Sequence, residues 1–391
     1  MKAVVHHGVG DIRVDDVPEP AIQAPFDAIV RLTASAICGT DLHFVRGTMP
    51  GTADGRILGH EGVGVVEEVG PEVRNLRRGD RVVVCSTISC GSCSYCRAGY
   101  FSQCDEANPN GPGTAFFGGP DAAGGYDGMQ AEKVLVPFAH STCVKLPDEV
   151  SDDQAILLSD IFPTGWFGAD MAEIEAGDVV AVLGCGPVGQ FAIASAFLMG
   201  AGRVLAVDQH PDRLETAKRL GAEAVDFSAE DAVEALQRLT GGIGPDRVID
   251  AVGVEAESPE GPRPDEVAEV AQDGTADGER FQPGGAPAQA LEWAVQAVAK
   301  AGTISIIGVY PPGMTSFPIG DAMNKNLTIK TGNCPHRRYI PHLVELVRTG
   351  AVDPTAIITE QDTMQGAIAA YEAFDARSPG WLKVELLPQG A

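Results

Sequence analysis

Four cysteines lie within fifteen residues of one another at the spacing C-x2-C-x2-C-x7-C, and they are Cys90, Cys93, Cys96 and Cys104. Thiolates this close can surround one Zn2+ tetrahedrally through local turns alone, which Gly91 and Gly99 between them permit. Iron–sulfur ligation is the competing interpretation. Because the four sulfurs would fill every coordination position, we predict a structural zinc ion that takes no part in chemistry.

A second set of potential ligands is spread over the sequence. Cys38 begins the run Cys-Gly-Thr-Asp-Leu-His, His60 and Glu61 lie in Gly-His-Glu-Gly, and Asp160 follows Leu-Ser. Each residue alone is a weak signal, but together they offer a thiolate, an imidazole and a carboxylate. Three such ligands suit a zinc ion that keeps its fourth position for a substrate. Zn2+ held in that way polarises a carbonyl or acidifies an alcohol or a water molecule.

Residues 184–189 have the sequence Gly-Cys-Gly-Pro-Val-Gly, which matches the G-x-G-x-x-G fingerprint of dinucleotide sites. The run follows an apolar strand and opens a helix, and Asp208 ends the next strand nineteen residues after Gly189. Gly184 permits a tight turn, Gly186 lets the backbone approach the pyrophosphate, and Gly189 lets helix and strand pack closely. Asp208 favours NAD over NADP, because it accepts hydrogen bonds from the adenosine ribose and repels a 2′-phosphate.

Further residues are candidates for contact with the dinucleotide. Arg213 is placed near the adenosine ribose, with a solvated helix position as the equal alternative, and Thr164 is expected to press on the nicotinamide ring. Arg338 is a candidate for a pyrophosphate contact, with a surface role as the alternative. The full predicted set is Thr164, Gly184, Gly186, Pro187, Val188, Gly189, Asp208, Arg213, Val252, Gly308, Val309 and Arg338.

These motifs, taken in their order, resemble the zinc-dependent medium-chain alcohol dehydrogenases over nearly the whole chain. The resemblance implies one catalytic zinc ion, held by Cys38, His60 and Asp160, beside the structural one. Glu61 then supports the ligands from just outside them. The resemblance further implies that Thr40 takes the proton of the substrate alcohol. His43 passes that proton on toward solvent by way of the cofactor ribose.

The segment from Ser159 to Gly165 and the large insertion after Gly253 resemble the glutathione-independent formaldehyde dehydrogenases in particular. This implies a small alcohol or aldehyde as substrate, and aldehyde dismutation if NAD stays bound. A polyol or secondary-alcohol dehydrogenase is one alternative, and a non-catalytic NAD-binding redox sensor is another. The expected walls of the substrate pocket are Ser86, Thr87, Phe116 and Phe117.

The elements that must position these residues follow two patterns. Short β-rich runs bounded by turn residues fill the first 150 residues, whereas strands alternate with helices from Asp178 onward. Alternation of that kind indicates a doubly wound parallel Rossmann sheet, so the fold class is α/β. We predict an NAD-binding domain over residues 156–334. A mainly β catalytic domain, GroES-like by the resemblance, covers residues 1–155 and 335–391, with a zinc lobe near 85–110.

Charge and composition narrow the class of protein. The 391 residues include 54 acidic and 28 basic side chains, a net charge of −26, and 44% are hydrophobic. That hydrophobic content excludes a wholly disordered chain, and the acidity argues against nucleic acid as a partner. Without a long apolar run we expect no membrane span and a cytoplasmic location. The resemblance implies a homo-oligomer, either a dimer or a tetramer.

One segment holds a disproportionate share of the negative charge. Residues 254–285 contain nine acidic and two basic side chains, a net charge of −7, together with many Pro and Gly. Such a composition cannot supply a core strand of the sheet. We therefore expect residues 254–285 to be an acidic surface insertion in the NAD-binding domain.

Overall fold

A computed structural model describes residues 1–388, so residues 389–391 of the predicted catalytic domain lie outside the described residues. The chain divides into two compact units. The first comprises Met1–Pro163, Asp273–Gln282 and the chain from Cys334 onward, and the second comprises Thr164–Gln272 and Pro283–Asn333. Each unit is built around its own sheet and core.

Sixteen strands, β1 to β16, are described. In chain order they are Lys2–Gly8, Asp11–Asp16, Ala28–Ile37, Arg56–Ile57, Gly62–Val69, Arg81–Val84, Lys133–Val136, Cys143–Lys145, Val179–Leu183, Arg203–Asp208, Glu223–Asp226, Arg247–Asp250, Thr303–Ile306, Thr328–Thr331, Glu360–Thr363 and Val384–Leu387.

The described α-helices, α1 to α13, are in chain order Gly39–Arg46, Ser94–Arg97, Ala139–Thr142, Asp152–Ser159, Ile161–Met171, Pro187–Leu198, Pro211–Arg219, Ala232–Leu239, Pro264–Val270, Gln289–Ala297, Ile319–Asn324, His336–Arg348 and Ala367–Asp375.

The first unit is mainly β. Its larger sheet has the order β15-β16-β3-β5-β6-β8, with β7 paired to β3, and a second sheet has the order β2-β1-β4. The long strand β3 alternates fully buried side chains such as Val30 and Leu32, which pack on Val66 and Val82. Because β5 runs antiparallel to β3 and to β6, the end of β3, the start of β5 and the end of β6 lie at one edge of the sheet. Cys38 directly follows β3, and His60 and Glu61 directly precede β5.

The second unit contains a six-stranded sheet of order β11-β10-β9-β12-β13-β14, in which every pair is parallel. Its central strands are buried on both faces, and Val180, Val182, Leu205 and Val248 are completely inaccessible to solvent. Parallel strands need helices as crossovers and bury both faces beneath them. The predicted α/β fold class, a Rossmann sheet joined to a mainly β part, is confirmed.

The expectation that residues 254–285 lie on the surface is wrong for part of the segment. Ala256 packs in the core of the second unit, and Val270 at the end of α9 is also buried. Residues 273–282 belong to the first unit instead, where Phe281 packs in a core with Phe44 and Tyr371. The acidic composition hid these few apolar anchors, while many of the carboxylates face solvent or pair with arginines.

Candidate active site

The four clustered cysteines come together as predicted. Their sulfurs all lie within 4.8 Å of one another, and Sγ of Cys93 is 3.9 Å from Sγ of Cys104. A tetrahedron with Zn–S bonds of about 2.3 Å has edges of about 3.8 Å, so this separation suits zinc. The backbone N–H groups of Cys90 and Cys93 donate to Sγ of Cys104 and Cys90, at 3.2 Å and 3.3 Å. Such donors stabilise thiolates, and the residues fit a structural zinc ion.

Local backbone geometry explains how so short a segment closes around one point. Gly91 and Gly99 adopt φ values of +73° and +90°, a left-handed conformation that glycine adopts without strain. Cys93 caps the short helix α2, and its sulfur accepts from the N–H of Cys96. Burial acts to raise the pKa of the Cys93 thiol, but the amides of Cys96 and Asp105 lower it to about 7.

The dispersed ligands also converge, although they come from three separate stretches of chain. Cys38, His60, Glu61 and Asp160 are all buried and present ligand atoms within 4.8 Å of one another. Oδ2 of Asp160 lies 3.3 Å from Nε2 of His60 and 3.6 Å from Sγ of Cys38. Tetrahedral zinc with bonds of about 2.0–2.3 Å needs ligand separations of about 3.3–3.8 Å. The residues therefore fit a second zinc ion.

Asp41 orients two of these ligands at once. It is the third residue of α1, and its Oδ2 accepts the N–H of Cys38 at 2.9 Å. Its Oδ1 lies 3.0 Å from Nδ1 of His60, which leaves Nε2 of that ring facing Asp160. Nε2 of Gln130 also donates to Asp41, at 3.1 Å. A carboxylate behind a metal-binding histidine fixes the orientation of the ring and raises its basicity.

The two carboxylates of this group have pKa values shifted in opposite directions. Burial alone would raise the pKa of Asp160, but hydrogen bonds from His336 and His60 hold it well below its usual range. Burial likewise raises the pKa of Glu61, and the ammonium group of Lys383 opposes that effect. Within the described residues, Oε1 of Glu61 is buried without a hydrogen-bond partner. A cation held by Cys38, His60 and Asp160 would stabilise this buried acceptor from nearby.

Lys383 and His336 are functional candidates that sequence reasoning missed. Lys383 is fully buried, and its Nζ donates to Oε2 of Glu61 and to the carbonyl of Ile37. Nε2 of His336 lies 2.7 Å from Oδ1 of Asp160. A lone lysine directly before the apolar final strand β16 was the available signal for Lys383. No motif or spacing marks His336.

The predicted proton-relay residues both lie on α1. Thr40 is half-buried in the first turn. His43 follows one turn later and is buried, with its Nδ1 3.0 Å from Oγ1 of Thr48. Residues three apart on a helix share a face, so the two side chains project on the same side. The relay itself stays a prediction.

The four residues expected to line a substrate pocket have different surroundings. The ring of Phe116 meets the ring of His60 edge-on, with centroids 6.5 Å apart. Phe117 is fully buried in the core that also contains the clustered cysteines. Ser86 is buried, and Oγ1 of Thr87 lies 3.0 Å from Nδ1 of His336. Phe116 is thus the member that faces the candidate metal ligands, and the pocket stays a prediction.

The glycine fingerprint lies in the second unit, where it follows β9 and runs into the first turn of α6, as predicted. Gly184 has φ +85°, and a Cβ on Gly189 would stand 1.9 Å from the carbonyl oxygen of Gly184. A Cβ on Gly186 would meet only Nη1 of Arg213, at 3.8 Å, so the backbone there is open to a ligand and Arg213 lies beside it. The N-terminus of α6 presents unpaired N–H groups to an anion at this point.

Asp208 is held rigidly at the end of β10. Its Oδ2 accepts the N–H of Cys185 at 2.7 Å, and its Oδ1 accepts the N–H groups of Gln209 and His210. These bonds fix the carboxylate beside the glycine loop. The N–H of Val254 donates a backbone hydrogen bond to the carbonyl of Val309, so that carbonyl is already used within the unit.

The remaining predicted dinucleotide residues are divided between the two units. Thr164 lies in α5, and Val252 follows β12 with its N–H donated to Asp250. Gly308 follows β13 and packs so tightly on Gly253 that a Cβ would stand 2.3 Å from its backbone nitrogen. Arg338 belongs to the first unit, where its guanidinium lies over the ring of Tyr339.

Comparison with known proteins decides the family. The model for "Alcohol dehydrogenase GroES-like domain" matches residues 24–148, and the model for "Zinc-binding dehydrogenase" matches residues 187–261. An uncharacterized zinc-type alcohol dehydrogenase-like protein, AdhB of Bacillus subtilis, is 40% identical over 99% of this chain and 100% of its own length. The chain belongs to the zinc-dependent medium-chain alcohol dehydrogenase family. It is therefore an oxidoreductase acting on alcohols, whose family uses zinc and NAD(P).

Two further relatives show how far the likeness extends. The alcohol dehydrogenase TADH from Thermus sp. ATN1 has a TM-score of 0.82 and 34% identity, with 99% of each chain covered. A glutathione-independent formaldehyde dehydrogenase of Pseudomonas aeruginosa is 33% identical over 97% of this chain and 96% of its own. The formaldehyde dehydrogenases are thus distant relatives within the family, more so than the Bacillus protein. Across residues 1–388 no helix combines the length and the apolar character needed to cross a membrane.

Proposed function

We propose that this family member is an NAD-dependent zinc dehydrogenase that transfers a hydride between NAD and a small alcohol or aldehyde. The observation that carries the proposal is the buried convergence of Cys38, His60, Glu61 and Asp160 around one point. A zinc ion bound there would supply Lewis acidity toward a substrate oxygen. The preference for NAD rests on Asp208, whose negative charge beside the glycine loop disfavours the 2′-phosphate of NADP.

Residues of this chain would orient the ligands, limit their charge, accept the substrate proton and contact the substrate. Asp41 keeps His60 in one orientation, and Lys383 neutralises Glu61, so the charge of the ligand group stays limited. The Thr40 hydroxyl is the group proposed to accept the substrate proton, with His43 one helical turn away as the next acceptor. The ring of Phe116 beside His60 would supply an apolar wall for a short substrate.

The experiment is a panel of small primary alcohols, secondary alcohols, polyols and aldehydes, assayed with NAD and with NADP. We expect NAD-linked turnover of a short alcohol or aldehyde, and loss of that turnover in Asp160→Ala. The glutathione-independent formaldehyde dehydrogenase relative supports including formaldehyde, and formation of alcohol together with acid without added NAD would reveal dismutation. Full turnover in Asp160→Ala, or a preference for NADP, would contradict the proposal.

Metal content provides an independent readout. Two zinc ions per chain fit the proposed enzyme, whereas one would favour a non-catalytic NAD-binding sensor. We also propose that the protein is a homo-oligomer, a dimer or a tetramer, which light scattering during gel filtration measures directly. A monomer at micromolar concentration would contradict that part of the proposal.

A further inference from the structure

His336 and Asp160 form a buried side-chain contact next to the candidate metal ligands. His336 begins α12 and is only 3% exposed, and its Nε2 lies 2.7 Å from Oδ1 of Asp160. An ionised carboxylate only accepts hydrogen bonds, so Nε2 of His336 carries the hydrogen and donates it. The contact joins residues 176 positions apart and therefore exists only in the folded chain.

The two oxygens of Asp160 have separate surroundings. Oδ1 accepts from His336, whereas Oδ2 lies 3.3 Å from Nε2 of His60 and 3.6 Å from Sγ of Cys38. Asp160 follows the last residue of α4 with φ −142° and ψ −65°, outside the helical range. The local backbone therefore does not impose a helical side-chain direction on this carboxylate. The contact with His336 is what gives the two oxygens of Asp160 different partners.

The imidazole of His336 is itself held on its other side. Its Nδ1 lies 3.0 Å from Oγ1 of Thr87, and Thr87 is 5% exposed. Oγ1 of Thr87 also lies 3.4 Å from the carbonyl oxygen of Cys334. Both ring nitrogens of His336 are thus engaged, and the ring plane is defined by contacts at either end. Thr87, His336 and Asp160 form a buried chain that ends at the candidate metal ligands.

We propose that His336 is a positioning residue, which binds Oδ1 of Asp160 so that Oδ2 alone is presented to the metal, with Thr87 holding the His336 ring. The inference rests on the proposed function in one respect, namely that Asp160 is a zinc ligand. A carboxylate fixed in this way binds one ion through one oxygen and leaves a coordination position for substrate. Residues that hold a ligand from behind typically contribute about 10- to 100-fold to metal affinity.

The test compares metal binding in the full-length protein. His336→Phe keeps a ring of similar size but removes both nitrogens, and His336→Gln restores one N–H donor at the same distance from the backbone. His342→Phe, on the exposed face of the same helix, is the matched control. Readouts are zinc retained against a chelator and the visible spectrum after Co2+ replaces the more labile zinc.

We expect His336→Phe to keep one zinc ion firmly and lose the other at a chelator concentration about 10- to 100-fold lower than wild type. Its Co2+ bands should shift, His336→Gln should recover most of both properties, and His342→Phe should match wild type. If His336→Phe does not fold, Thr87→Val serves instead, with a smaller loss of affinity expected. Wild-type affinity and spectrum in the folded variant would overturn the inference.

Asp160→Ala separates the two possible failures. If Asp160→Ala loses the second metal while His336→Phe retains it, the positioning role is wrong and the proposed site stands. If Asp160→Ala itself binds both metals as tightly as wild type, the ligand assignment is wrong, and with it both proposals.

Discussion

Lys383 and Glu61 form an ion pair closed to solvent. Nζ of Lys383 lies 2.5 Å from Oε2 of Glu61, and their side chains are 1% and 0% exposed. The same ammonium group donates to the carbonyl of Ile37 at 2.9 Å. Lys383 directly precedes β16, so the pair connects the segment before this strand with the loop that carries His60.

Removing one partner of this pair should cost more stability than removing both. Lys383→Met leaves the Glu61 carboxylate buried without its cation, a change that costs about 3–5 kcal/mol in comparable sites. We expect a marked fall in the melting temperature of the zinc-loaded protein. Lys383→Met combined with Glu61→Gln should recover much of that fall. If the double variant is no more stable than Lys383→Met, the loss of stability in Lys383→Met does not come from an unpaired charge on Glu61.

The clustered cysteines should hold one zinc ion independently of the other site. In Cys93→Ser we expect zinc content to fall from two ions to one per chain, because one of four thiolates is lost. The melting temperature should fall as well, since the lobe loses its cross-link. Cys85→Ala is the control, because Cys85 is buried but belongs to neither ligand group. Two zinc ions in Cys93→Ser, measured by elemental analysis, would contradict the assignment.

Glu385 should make stability fall as the pH rises toward neutrality. Burial raises the pKa of Glu385 from 4.5 to about 7, with the carboxylates of Asp153 and Asp152 adding to the effect and Gln361 opposing it. Between these pH values the folded protein holds a proton that the unfolded chain has lost. The free energy of unfolding therefore falls as the pH rises from 4.5 through about 7.

Glu385→Gln removes this titrating group. From pH 5.5 to pH 8 the stability of the variant relative to wild type should rise by about 2 kcal/mol, at about 1.4 kcal/mol per pKa unit. Thermal or denaturant unfolding of both proteins at the two pH values measures the difference. A stability difference between the two proteins that does not change with pH would show that Glu385 ionises normally.

The large negative charge should make the protein more stable in salt. At −26 the folded chain repels itself, and added salt screens that repulsion. We expect the melting temperature and activity to rise as KCl increases from 0.1 M to 1 M or beyond. Sucrose controls for general solvent effects, because it does not screen charge. Equal stability in low and high salt would identify the acidity as an ordinary surface property.

Short-range patterns were predicted well. The spacing of Cys90 to Cys104 needs only local turns, and the strand that was predicted to end at Asp208 ends there in the structure. The glycine loop and the helix after it were also recognised, because each glycine is required by the local backbone conformation or by close packing. These features depend on a few neighbouring residues, and the sequence displays those residues directly.

The acidic segment shows where composition misleads. Nine carboxylates indicated a surface insertion, yet Phe281 packs beside Phe44 and Tyr371. One aromatic side chain removes enough apolar area from water to anchor a polar loop. The amino-acid composition is an average over the whole segment, so it does not show which single side chain packs into a hydrophobic core.

The sequence by itself indicated the family, the parallel sheet and the candidate metal ligands, because these are encoded in local spacing and in the period of apolar residues. Only the tertiary structure decided which charged groups and imidazole rings contact the candidate ligands and their neighbours. Lys383 reaches Glu61 across 322 residues and His336 reaches Asp160 across 176. No spacing rule links such pairs, since their meeting depends on how whole elements pack, and packing is a property of the folded chain.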